Sequence, residues 1–168
     1  MKNTGFIQGL FATCLLLSGL NVARADTINI AVASNFTDPI REIASRFEAQ
    51  SGHRINLVFG STGKHYAQIK NGAPFAAFFA ADVRRPALLE KEGVALPGSR
   101  FTYAVGRIVL WSPQPGLVAS GGQVLEEQAF RHLASANPTL APYGTAAQPL
   151  LTATGIWAGL TASMVRGE

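Results

Sequence analysis

One cysteine, Cys14, is the whole thiol content of the 168 residues. A single thiol forms no internal disulfide and no thiolate metal cluster. Cys14 lies inside an N-terminal apolar run and is preceded by Thr13, where lipid attachment would want a small residue and a place at the end of the run. Charge is also scarce, with 14% of residues being Asp, Glu, Lys or Arg. No basic run is longer than Arg84-Arg85, so the electrostatic footprint of a nucleic-acid binder is missing. His53 and His65 have no Asp, Glu or Cys at ligand spacing, which favours solvated or locally bonded imidazoles over a metal site or a general base. There is no internal repeat and no low-complexity segment.

The chain has one conspicuous apolar run, from about Phe6 to Leu20, short for a membrane span of roughly 20 residues. Lys2 precedes it and Ala23-Arg24-Ala25 follows, the pattern of a secretory leader cleaved before Asp26. Residues 1–25 are therefore expected to be a signal peptide and the mature chain to be exported. The leader carries Lys2 and Arg24 and no acid, so the formal charge of +4 falls to +2, with 12 basic against 10 acidic side chains. The remainder is long enough for an ordinary core.

From Thr27 onward the pattern alternates between two periods. "TINIAVAS" (27–34) reads as a strand. The helix after it carries Ile40, Ile43, Ala44 and Phe47 on one face, is capped by Thr37 or Asp38, and is stopped by Gly52. "RINLVFG" (54–60) is a second strand, and "STGKHYAQIKNGAP" a helix ended by Asn71-Gly72. "FAAFFAAD" (75–82) reads as a strand buried on both faces, and "RPALLEKEG" (85–93) as a short helix. This β-α-β-α-β-α order predicts a parallel sheet covered by helices. "RFTYAVGRIVLWSP" (100–113) reads as a long strand, and residues 131–157 as a strand–loop–helix unit opened by Pro142. Tyr66, Trp111 and Trp157 are expected in the core or at an interface, and Asp82 as a cap of the turn that follows it.

Two stretches fall at strand ends, where parallel sheets bind ligands. "FGSTGKHY" (59–66) looks like a phosphate loop, but Gly60 and Gly63 are too close together and His65 stands where Ser or Thr is needed. What remains is a pair of hydroxyls at a helix N-terminus, and "ASNFT" (33–37) repeats the arrangement. Unpaired first-turn N–H groups with Ser34, Asn35, Ser61 and Thr62 suit an oxyanion without a counter-charge. Simple capping is the competing reading. Pro142-Tyr143-Gly144 opens a further helix of the same kind.

The stretches "VASNFTDPIREIASRFEAQSGHRINLVFGSTGKHYAQIKNGAP", "ALPGSRFTYAVGRIVLW" and "NPTLAPYG" resemble the periplasmic molybdate-binding proteins of ABC transporters. The similarity runs from Thr27 to about Val165. It implies a type II periplasmic binding-protein fold, α/β and two-lobed, with lobes at 26–105 and 106–168. It further implies a periplasmic protein, not an enzyme, that needs no cofactor. Such a protein closes by a hinge on molybdate or tungstate and delivers the ion to a membrane permease; a monomer is expected if the chain is complete. By position, the resemblance places the ligand contacts on Ser34 and Asn35, on Thr62 with Ser61 beside it, and on the backbone N–H of Tyr143.

Three departures from the pattern stand out. Thr62 replaces a serine, Pro149 falls inside the helix opened by Pro142, and the family continues well past "SMVRGE". The second lobe is thus expected to be incomplete, with one strand–helix unit, no return, and exposed apolar edges. The alternatives are a remnant with weak or no anion binding, a binder of another tetrahedral oxyanion such as sulfate, and an ester hydrolase using Ser61 with His65.

Overall fold

The computed structural model describes residues 26–118 and 122–167. The expected leader, 1–25, lies outside the described residues. Strand β1 (Thr27–Ala33) is the centre of a three-stranded sheet, flanked by β2 (Arg54–Gly60) and β3 (Ala77–Phe79). Both pairings are parallel, as the alternation of strands and helices predicts. Helix α1 (Thr37–Ser51) joins β1 to β2, α2 (Thr62–Lys70) joins β2 to β3, and α3 (Arg84–Lys91) follows.

Being central, β1 is buried where it counts: Ala31, Val32 and Ala33 are at most 2% exposed. Its register pairs Thr27 with Arg54 and Ala33 with Gly60. The two strands therefore finish level, and Ser34 and Ser61 leave the same end of the sheet side by side. Gly52 ends α1 in the left-handed conformation at φ 73°, which glycine adopts without steric cost.

Helix α1 covers the sheet with Ile40 and Ala44, and burying Ile40 alone contributes roughly 1.5–3 kcal/mol. The expected apolar face is only half used, because Ile43 and Phe47 stay 49% and 45% exposed. Neither Thr37 nor Asp38 caps this helix: Phe36 occupies the cap position without a side-chain bond. The Thr37 hydroxyl instead donates to the carbonyl of Ser34 (2.8 Å).

Two expected strands differ. The 75–82 run contributes only Ala77–Phe79, a sheet edge of partly exposed residues rather than a doubly covered strand. Residues 100–112 form no strand among the described residues. Phe101, Val105, Val109 and Trp111 are 75–86% exposed, so Trp111 is neither a core nor an interface aromatic in this structure. The segment is moored through Tyr103, whose hydroxyl donates to the Ala80 carbonyl (2.9 Å). A cavity of about 1150 Å³ separates it from the edge of β3.

The second sheet pairs β4 (Leu133–Ala136) in parallel with β5 (Met164–Gly167). A short α4 (Val124–Glu127) precedes β4, and α5 (Pro142–Ala153) and α6 (Trp157–Leu160) connect the two strands. The second strand of this β-α-β unit corrects the expectation of a single strand–helix unit: "MVRG" is a strand too short to show periodicity. Pro142 opens α5 as expected, and Pro149 lies inside it, where it removes one backbone donor. Leu160 is fully buried.

Candidate oxyanion-binding site

The first loop is a single 3-10 turn, Ser34–Phe36, entered directly from the extended Ala33. Phe36 anchors it, packing its ring 4.8 Å from Tyr103 and 6.0 Å from Phe79 between centroids. Ser34 and Asn35 face outward and are exposed.

The second loop is more tightly built. Ser61 is extended, and its Oγ accepts the Lys64 N–H (3.3 Å), which makes it the N-cap of α2. Thr62, 1% exposed, accepts the Ala81 N–H on its hydroxyl oxygen (3.0 Å). Each hydroxyl oxygen thus accepts one hydrogen bond, and each proton is available for donation. The Gly63 N–H donates to the Leu140 carbonyl (2.9 Å).

His65 takes the locally bonded form of the two that the sequence allowed, not the solvated one. It is 1% exposed and stands behind the loop, with Nε2 3.2 Å from the Val32 carbonyl and Nδ1 3.0 Å from the Gln68 amide. A Cβ at Gly60 would lie 3.0 Å from its ring. The histidine therefore braces β1 against α2 and is not placed to activate Ser61. His65→Ala is expected to cost about 2–5 kcal/mol in urea unfolding, through a cavity and the loss of two hydrogen bonds. His53 is half-buried, and its Nδ1 has no partner among the described residues.

The third loop begins at Asn137, whose carbonyl takes the N–H groups of Leu140 and Ala141 and whose Oδ1 takes that of Thr139. The loop delivers Tyr143 to the second position of α5. Asn35 Nδ2 donates to the Tyr143 hydroxyl (3.3 Å), so the first and third loops touch. That hydroxyl stands 2.8 Å from where a Cβ at Gly106 would be, so the glycine gives it room. Burial, and then the nearby Tyr143, hold the Tyr103 phenol above its ordinary value.

The five residues singled out in the sequence thus fall on three loops that meet: Asn35 on Tyr143, and Gly63 on Leu140. The large cavity touches Asn35 and Tyr143 but not Ser34, Ser61 or Thr62, and it is far larger and more apolar than a tetrahedral ion needs. Sequence reasoning missed Arg85, which is 6% exposed. It pairs with Asp82 and donates from Nη2 to the Thr139 carbonyl (3.0 Å). The cap assigned to Asp82 is present, since its Oδ1 accepts the Arg85 N–H (2.8 Å). Among the described residues no group of His, Cys, Asp and Glu could hold a metal ion.

Comparison with known proteins identifies the family and the fold. The family model for bacterial extracellular solute-binding proteins matches residues 28–168. The molybdate-binding protein ModA of Azotobacter vinelandii is 51% identical over 145 residues, which cover 86% of this chain and 58% of that protein. ModA of Rhodobacter capsulatus is 42% identical over 160 residues, covering 95% and 63%. The solved periplasmic molybdate-binding protein of Azotobacter vinelandii superposes with a TM-score of 0.79 at 46% identity, covering 83% of this chain and 62% of that one. The substrate-binding domain of a molybdenum ABC transporter protein from Clostridium difficile, at 18% identity and a TM-score of 0.53, shares the fold. The chain spans about three-fifths of the length of these relatives.

Proposed function

The chain belongs to the bacterial extracellular solute-binding proteins, and from that premise we propose that it captures molybdate or tungstate in the periplasm for an ABC transporter. The observation that carries the reading is the meeting of three helix starts. Ser34 with Asn35, Thr62 with Ser61, and Tyr143 bring backbone N–H groups and hydroxyl protons together, and the loops are held by Asn35 on Tyr143 (3.3 Å) and Gly63 on Leu140 (2.9 Å). Each helix start adds the positive end of a dipole, roughly half a charge. Such donors match an oxyanion without a salt bridge that would hinder its release.

In this reading the protein works by binding, and no bond in the ligand is made or broken. The three-stranded and two-stranded units serve as two lobes, divided near residue 105. The Tyr143 N–H comes from the second and the other four contacts from the first. A monomer carrying one ion would then meet a permease at the membrane. The names of the relatives and the donor chemistry support molybdate. Tungstate follows because it is a tetrahedral dianion of the same kind.

Calorimetric titration with molybdate, tungstate, sulfate and phosphate in turn tests the proposal. Heat from the first two alone is the expected result. Silence with all four, from a sample that circular dichroism shows to be folded, overturns it. Tight binding of sulfate would reassign the ligand.

A further inference from the structure

Among the described residues Arg85 is the one buried Arg or Lys, and nothing in the anion chemistry above uses it. Its guanidinium is divided between two jobs. Nη1 meets Asp82 Oδ2 just ahead of α3, and Nη2 reaches 54 residues along the chain to the Thr139 carbonyl. The next carbonyl, that of Leu140, accepts the Gly63 N–H. Two consecutive carbonyls of the third loop are therefore gripped from the other sheet's side, one by Arg85 and one by the second loop. They lie immediately before the start of α5, which carries Tyr143.

The packing at Gly63 shows how close this contact is. A Cβ there would lie 2.7 Å from the Leu140 oxygen and 3.1 Å from Arg85 Nη2. The second loop, the third loop and the guanidinium thus share one tight junction that only a bare backbone fits. Asp82 takes up the charge of Arg85, so the cation does not act as an open anion ligand. A planar fork can hold a carboxylate and a carbonyl at fixed angles, which a lysine ammonium does not reproduce.

We propose that Arg85, oriented by Asp82, is a positioning residue that docks the third loop on the second and so sets where the Tyr143 N–H meets the anion. The part of this concerning the anion rests on the function proposed above. The part concerning the docking does not, and the two are separable by experiment.

Three proteins suffice: the wild type, Arg85→Lys, and Asp82→Asn/Arg85→Met, the last removing the pair without leaving a buried charge. Hydrogen–deuterium exchange at the Gly63 amide reads the docking with no ligand present. Exchange at Gly63 is expected to quicken at least about tenfold in both variants, while Tyr66–Ile69 within α2 keep their protection. Molybdate affinity is expected to weaken about tenfold, chiefly through faster dissociation, as when a buried hydrogen-bonded pair is broken.

Wild-type protection of Gly63 in both variants overturns the docking. Faster exchange with unchanged affinity in a wild type that binds molybdate overturns the positioning role. Full affinity in Arg85→Lys shows that charge rather than the fork matters, and overturns it too. If α2 loses protection in the lysine variant, the double variant decides. If the wild type binds none of the oxyanions yet Gly63 responds, the anion reading fails while the docking stands.

Discussion

Thr62→Val is expected to abolish molybdate binding and to weaken the fold in the same step. Valine matches threonine in shape, so the effect isolates the hydroxyl. Two bonds depend on that group. Its oxygen accepts the Ala81 N–H (3.0 Å), and its proton is the donor assigned to the anion. Leaving the Ala81 N–H unmet costs about 1–3 kcal/mol, which urea unfolding will show. Thr62→Ser keeps both bonds and gives up only a methyl, worth about 0.8 kcal/mol, so its binding should survive. Ser34→Ala provides the complementary result. Ser34 is exposed, so this change should lower affinity with no effect on stability, and Ser34→Ala with Thr62→Ala should leave no measurable binding. Unchanged affinity in that pair would remove both residues from the site.

Gly144→Ala is expected to be the most damaging single methyl in the molecule. A Cβ at Gly144 would lie 2.2 Å from the Ala136 oxygen, 2.8 Å from the Ala136 carbonyl carbon and 2.7 Å from the Pro138 nitrogen. All three are backbone atoms, so no side chain can swing aside. Helix α5 would have to lift from the end of β4, carrying Tyr143 with it. Overpacking commonly costs about 1–3 kcal/mol and occasionally more, and a backbone collision belongs at or above the top of that range. A large drop in the urea midpoint is expected, with any folded remainder binding molybdate poorly. Gly167→Ala is the control, because nothing lies within 4 Å of its Cβ position. It should stay within about 0.5 kcal/mol of wild type. Wild-type unfolding of Gly144→Ala would show that the contact between α5 and β4 is not as drawn.

The difference between what was readable and what was not follows from range along the chain. The first two strands and the helices after them have local signatures: the alternation of Ile28, Ile30 and Val32, the four-residue steps from Ile40 to Ala44, and the stops at Gly52 and Gly72. Their place at two strand ends, each leading into a helix, then made the Ser34 and Ser61 loops visible as a pair. Apolar runs misled at 75–82 and 100–113, because alternation and hydrophobicity report what a strand wants to bury, whereas a strand exists only where another backbone pairs with it. Ile43 and Phe47 failed as core residues for the same reason, since their periodicity is right and no described element covers them. Arg85 was invisible because its decisive partner, Thr139, is 54 residues away. Only the half of its environment that lies within one turn, the Asp82 cap, could be read.

The bonds that Ser61 and Thr62 accept from the Lys64 and Ala81 N–H groups have a consequence for selectivity that goes beyond size. Each leaves its hydroxyl oxygen one lone pair instead of two, so under the proposed function the second loop offers an ion more donors than acceptors. An oxyanion with no hydrogen of its own suits such a surface better than hydrogen phosphate, whose O–H must compete for a remaining lone pair. A buried O–H left unmet costs about 1–3 kcal/mol, or roughly a tenfold loss of affinity for every 1.4 kcal/mol. Under that proposal, affinity is expected to fall as the medium is acidified until the ion picks up a hydrogen, without any change in the protein.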